Sequence, residues 1–327
     1  MYAGANMAEQ APSVLDRDVQ IRMLEYFVPL AEKHAADSGG TLSVLPIDPD
    51  KYPGQVGHIV EGAPMTPQDV RKYAGIVVPN FVDLSDTMKT NSSETIQKAC
   101  EVIDNGGSLH IPTSHKKLID PAYGLVTPTN NMRLEGQEFD TEIGVGKMLS
   151  LLAYNMGGEQ VPTVNVLTWF CNRIYMSIPH SKTIEESPIL EEMPEEVAAH
   201  NGLVKAAMEE RIARGRVVMG AAWSGTTDKR NALKETVFGR VNDGTAKLAT
   251  HKNAWVAPVV LDLSQGQKDK YIEFSGKLRQ LTTIAEVHEL LGEMATYMSG
   301  KYSDGRKIVY EGAEKVQQAI IEKVSKS

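Results

Sequence analysis

Apolar residues recur at three- and four-residue spacing from Val14 to about His34, where Leu15, Val19, Met23, Tyr26, Phe27 and Leu30 share one face. That period predicts an amphipathic helix, and Asp37-Ser38-Gly39-Gly40 closes it with turn chemistry. A stretch rich in proline and glycine follows from Pro46 to Pro64. Thr66-Pro67-Gln68-Asp69 then marks a second helix start, with proline at the first helical position. A third helix is predicted over Ser93 to Ile103, ended by Asn105-Gly106-Gly107.

Beyond Gly107 the rhythm changes, and short β-branched runs alternate with longer amphipathic ones. Strands are predicted at Ser108 to Ile111, Val161 to Leu167, Ile174 to Ile178, Arg216 to Ala222 and Trp255 to Leu261. Helices are predicted near Thr141 to Asn155, Glu195 to Arg214 and Val241 to His251, with two more at Thr282 to Met298 and Lys307 to Lys323. Such alternation implies an α/β fold, a largely parallel mixed sheet flanked by helices. The expected organisation is a small helical N-terminal domain over residues 1–85 and an α/β domain over 86–327, joined between Val77 and Thr90.

Composition narrows the class. The chain has 327 residues, 42% hydrophobic and 23% charged, a balance that excludes a wholly disordered or fibrous protein. Cys100 and Cys171 are its two cysteines, so no disulfide framework is available and a reducing compartment, cytoplasm or organelle stroma, is expected. Predominantly apolar stretches such as Val256 to Leu263 and Met148 to Ala153 fall well short of the roughly 20 residues of a membrane-spanning helix. The first residues, MYAGANMAEQAPSVLDRD, have no basic region followed by an apolar run, so no secretory signal is expected. Association with a membrane surface stays compatible with all of this. A net charge of -8 argues against nucleic acid as a partner, whose binding rests on many lysine and arginine contacts to phosphate. It leaves room for a local basic pocket.

The most informative stretch runs from Ser108 to Pro121: a buried strand, a short loop with His115, and a helix start at Asp120-Pro121. A histidine five residues before an aspartate can set the carboxylate against one imidazole nitrogen, fixing the tautomer and stabilising the imidazolium. The other nitrogen can then take a proton from a substrate hydroxyl. The same spacing also describes a surface histidine near a helix-capping aspartate. A second stretch, Ser224-Gly225-Thr226-Thr227-Asp228-Lys229-Arg230 after a buried strand, offers backbone N–H groups, hydroxyls and two cations, the makings of an anion site. A plain glycine turn with a solvated charged face fits it as well.

In order, four blocks of the chain resemble the glycerolipid acyltransferases, and most closely their soluble, plastid-type glycerol-3-phosphate branch. The family's Asn-His-x-x-x-x-Asp-Pro is similar to Ser114-His115-x-x-x-x-Asp120-Pro121. A strand leading to a basic pair is similar to Asn172 through His180-Ser-Lys182, and a strand with a basic phosphate loop to Val217 through Arg230. The fourth block, of Val-Pro-Val type, matches Val256-Ala-Pro258-Val-Val-Leu261, so the resemblance covers roughly residues 105 to 265. Ser114 stands where the family has asparagine, and Thr227 stands opposite its first loop arginine.

The resemblance implies transfer of an acyl group from acyl-CoA or acyl-ACP to glycerol 3-phosphate, with no cofactor and no metal. His115 would be the general base and Asp120 its orienting partner. His180, Lys182, Lys229 and Arg230 would hold the phosphate, with Ser224, Gly225, Thr226 and Thr227 as loop donors. Another phosphorylated alcohol or lysophosphatidate as acceptor, or a lipid- or partner-binding protein without catalysis, are the alternatives.

Three other signals lead nowhere by sequence. Gly144-Val-Gly146-Lys147 lacks the earlier glycine and the following Ser or Thr of a phosphate loop. His110 and His115 have no cysteine or third histidine nearby to complete a zinc set. Cys171, beside Trp169 and Phe170, reads as a buried small apolar residue.

Overall fold

The computed structural model describes residues 15–77, 81–114, 120–178, 188–223, 229–230, 236–238, 241, 243–263, 270–302, 307–310 and 312. It is an α/β protein built on one mixed sheet of eight strands flanked by helices. In chain order these are β1 (Ile59–Glu61), β2 (Ser108–Thr113), β3 (Asp140–Gly146), β4 (Arg173–Ser177), β5 (Val217–Ala222), β6 (Ala254–Val256), β7 (Val259–Asp262) and β8 (Tyr271–Phe274). Across the sheet they run β8-β7-β2-β5-β3-β4-β1, with β6 also beside β2. The interior pairings are parallel, whereas β1 and β8 close the two edges antiparallel.

Every residue of β2 and β5 is buried, as expected of parallel strands covered on both faces. On one face, Leu109 and Ile111 pack with Phe81, Met88, Ile103, Leu125 and Met132 from three helices, Phe81–Asn91, Ser93–Asp104 and Asp120–Leu134. On the other, Met219, Val217 and Tyr175 meet Val204, Met208 and Ile212 of the long helix Pro194–Arg214. Further along that face Val256 and Val260 pack on Val287, Leu291 and Met294 of the helix Ile284–Gly300. That helix starts with a full capping box, Thr283 accepting from the Glu286 N–H and the Glu286 carboxylate accepting in return.

Several elements differ from the expected ones, each for a local reason. The first helix is two, Arg17–Glu25 and Val28–Asp37, because Pro29 lacks the N–H a continuous ladder needs. The helix expected from Thr141 to Asn155 is β3, a 3-10 turn at Lys147–Leu151 and a strand at Leu152–Met156. Gly144 and Gly146 disfavour a helix there, and pairing of β3 with both β4 and β5 makes it a central strand. The strand expected from Val161 to Leu167 is instead the end of Glu159–Pro162 followed by a helix, Thr163–Thr168. A stretch of seven residues, apolar but for Thr163 and Asn165, is too short to distinguish the two periods. Trp255 to Leu261 is split into β6 and β7, since Pro258 donates no hydrogen bond, but both pieces keep one register against β2. In the expected C-terminal helix, Ile308–Tyr310 is a strand; most of the rest lies outside the described residues.

The N-terminal segment brings strands as well as helices. Leu42–Val44 pairs with Leu152–Met156, which forms a hairpin with Glu159–Pro162, and β1 pairs with β4 of the large sheet. Met23, Leu24 and Phe27 share a buried cluster with Leu151, Leu152, Ile178, Ile189 and Met193.

Candidate functional site

Parallel strands end on one edge of a sheet, and in open α/β sheets ligands gather beyond that carboxyl edge. Here Thr113 of β2 pairs with Ala222 of β5, Gly146 of β3 with Ser177 of β4, and Val259 of β7 with Thr113. The chain therefore leaves β2, β5 and β4 on the same edge, at Ser114, Trp223 and Ile178. Ser114 is buried, and its hydroxyl lies 3.4 Å from both the carbonyl and the N–H of Leu261. The Trp223 N–H reaches the Thr113 carbonyl at 3.4 Å. Those three exits are the points from which the sequence places His115, Ser224 to Thr227 and His180 with Lys182. All of these residues lie outside the described ones.

Asp120 is described. It opens the helix Asp120–Leu134 and is 3% exposed, a carboxylate at the helix end where the backbone dipole favours negative charge. The helix is held against the sheet by the absence of side chains. A Cβ on Gly124 would stand 2.3 Å from the Thr113 Cγ2, and one on Gly220 of β5 would stand 2.9 Å from Leu125. Asn131, two turns further on, accepts from the Ser85 hydroxyl and donates to the Ser85 carbonyl, tying the outer helix to it. Pro128 inside the helix supplies no N–H to the Gly124 carbonyl.

Two phenols that the sequence did not single out belong to this environment. Burial raises the pKa of Tyr123, with Tyr154 and then Asp120 adding to it. Burial likewise raises Tyr154, with Asp120 next. Both therefore stay protonated at neutral pH. No spacing rule joins Tyr154, on a hairpin, to Asp120 on a helix; the fold alone does.

Lys229 and Arg230 were expected in the loop after β5. Their backbone instead forms a short strand, antiparallel to Thr236–Phe238 in a separate three-stranded sheet completed by Ile308–Tyr310. Pairing with those later segments, invisible in the loop's own composition, makes the difference.

Lys147 follows β3 at the same carboxyl edge, between the exits of β5 and β4. It is fully buried, its ammonium donating to the carbonyls of Gly57 (2.6 Å) and Gln55 (3.2 Å). Burial pulls its pKa down to about 7. Nearby His200 is lowered to about 4, by burial first and then by Lys147; its Nε2 donates to the Met176 carbonyl at 2.6 Å. His58 sits edge-on to it at 6.2 Å between ring centres. His110 on β2 is also buried and lowered to about 4, its Nδ1 3.1 Å from the Met219 carbonyl. It faces Trp223, away from the helix that carries Asp120.

The cysteines are buried, and burial pushes Cys171 up to about 12 and Cys100 to about 11. Neither is a thiolate nucleophile at neutral pH. Among the described residues no three His, Cys, Asp or Glu side chains converge as a metal set, and no helix is long and apolar enough to cross a membrane. Neither models of known protein families nor curated proteins give a match to this chain.

Proposed function

We propose that the chain is an acyltransferase moving a fatty acyl group from a thioester, on coenzyme A or acyl carrier protein, to the hydroxyl of glycerol 3-phosphate. The observation that carries this reading is the place of Asp120. It is a buried carboxylate at the start of a helix pressed onto the sheet, six residues after Ser114 at the end of β2. Support also comes from the shared carboxyl edge at which the segments holding His115, His180 and Ser224 leave their strands.

In this mechanism the Asp120 carboxylate accepts one N–H of His115 and holds the tautomer whose other nitrogen is bare. That nitrogen takes the proton of the acceptor hydroxyl as its oxygen attacks the thioester carbonyl. The tetrahedral intermediate collapses, the C–S bond breaks, and the imidazolium returns its proton to the leaving thiolate. An ester and a free thiol result, and His115 is neutral again. Lys182, His180, Lys229 and Arg230 are assigned to the phosphate of the acceptor, by charge and by their order in the chain.

The test is radiolabelled transfer from a long-chain acyl thioester to glycerol 3-phosphate. His115→Ala should lose at least about a thousandfold in kcat, the range of a general base acting within a unit. Asp120→Asn should lose a comparable factor while still binding glycerol 3-phosphate. Folded wild-type protein that turns over with neither donor would reject the reading.

A further inference from the structure

At the opposite, amino edge of the sheet lies a cavity of about 700 Å³. Its walls bring together Arg133, Arg211, Arg214 and Arg216 with only two carboxylates, Glu138 and Asp140. The pairing within this set is uneven. Arg211 is neutralised by Asp140 and Glu142, and Arg214 is paired with Glu210 one helical turn away. Among the described residues neither of the other two makes an ion pair: Arg133 donates to Thr141 Oγ1 at 2.7 Å, with the Asp140 carboxylate acting on it at longer range, and Arg216 donates to the Glu138 carbonyl at 3.0 Å. Partial burial lowers the pKa of Arg133, against the opposing pull of Cys171 and Asp140; it stays charged all the same.

Arg216 is also the described non-glycine residue with a positive φ, 52°, a conformation L-residues adopt rarely and mostly where the surroundings force it. Its N–H is fixed to the Gly107 carbonyl at 2.8 Å and its carbonyl to the Asp140 N–H at 3.2 Å. Gly215, just before it, passes so close to Gly106 that a Cβ would stand 2.0 Å from the carbonyl oxygen. The strained backbone thus holds an exposed guanidinium, with no ion pair among the described residues, on the cavity wall. Asn172 adds a donor there, since its amide oxygen is taken by the Thr141 N–H (2.8 Å) and its NH2 is left. Met65, Pro64 and Phe139 supply an apolar side, and the Arg133 guanidinium lies 5.1 Å from the centre of the Phe139 ring.

We propose that this cavity binds a small phosphorylated molecule, with the phosphate between Arg133 and Arg216. Two planar guanidiniums that make no ion pair among the described residues suit bidentate phosphate binding. The volume falls within the range of small-ligand pockets. The site is distinct from the proposed acyl-transfer edge, because β3 alone separates the two by about 20 Å of extended chain. It therefore stands whether or not that activity does.

The probe is pyrophosphate, titrated calorimetrically into the full chain at low salt. Saturable one-to-one binding with a Kd below about 1 mM is expected. Arg133→Gln should weaken it at least about tenfold, the loss of one charge-assisted pair. Arg216→Gly should do the same; glycine accepts the positive φ, so this variant keeps the fold if Arg133→Gln does not. His115→Ala should bind as wild type. Absence of saturable binding would overturn the proposal. So would an unchanged affinity in Arg216→Gly, or a loss on Lys229→Gln with Arg230→Gln instead, which would place the anion in the acceptor pocket.

Discussion

Single buried titratable residues set how this protein's stability responds to pH. Lys147 has a folded pKa of about 7 against roughly 10.4 unfolded, so between those values the unfolded chain holds more protons. Unfolding free energy should therefore rise with pH from about 7, with a slope approaching about 1.4 kcal/mol per unit. Above about 8.5 the buried thiols Cys100 and Cys171, raised in the folded state, pull in the opposite sense. The diagnostic window is thus about pH 7 to 8.5. Urea denaturation across it should show the rise in wild type and a flatter curve in Lys147→Met. A flat wild-type curve would mean that the ammonium keeps its ordinary affinity for a proton. On the acid side His110 and His200, lowered to about 4, should cost stability as pH falls from about 6.5 towards 4. Their folded forms refuse protons that the unfolded chain accepts.

Among the elements, the helix Asp120–Leu134 matters most, because it carries Asp120 and its seat on the sheet has no slack. Gly124→Ala would set a methyl 2.3 Å from the β-branched Thr113 side chain, which cannot swing away as a long side chain would. A loss of about 1–3 kcal/mol is expected, the usual cost of overpacking. Acyl transfer should fall further than stability explains, since Asp120 lies one turn before Gly124. Adding Thr113→Ser removes the Cγ2 and should recover part of both losses. Measuring Tm and turnover for the single and double variants checks the argument, and an unaffected Gly124→Ala would refute the close seat. The helix start was legible, because Asp-Pro after a strand and loop is a strong signal. Its tight docking was not, because Gly124 meets Thr113, eleven positions earlier, only in the folded chain.

At the scale of the molecule, the question is whether the division at residue 85 separates two folding units. The chain before it contributes β1 to the edge of the sheet and Met23, Leu24 and Phe27 to a cluster with Leu151, Leu152 and Ile178. Removing it would bare the ladder of β4 and an apolar surface, both aggregation hazards. A fragment of residues 86–327 is expected to be less stable than the full chain and to associate in solution. Size-exclusion chromatography and thermal denaturation decide this. A monomeric fragment with an unchanged Tm would establish two independent units.

By itself the sequence determined the α/β class and, after Gly107, the places of β2, β4, β5 and the β6–β7 stretch and of the helices Pro194–Arg214, Asp243–Ala249 and Ile284–Gly300. Buried β-branched runs and amphipathic stretches differ in period, and that difference is local. It also singled out the segment from Ser108 to Asp120, because a strand, a histidine loop and an Asp-Pro helix start are each written in neighbouring residues. What needed the tertiary structure were the features made by distant partners. Pairing with β4 and β5 turned Thr141 to Gly146 from an expected helix into a central strand. The carbonyls of Gln55 and Gly57, far along the chain, enclosed Lys147, which the sequence had placed only in a phosphate-loop likeness it set aside. The arginine cavity joins the starts of three parallel strands, residues separated by up to about 150 positions of chain. Hydrophobic period is a property of a window, whereas charge neutralisation, close backbone approach and burial depend on what lies opposite, and only the fold sets that.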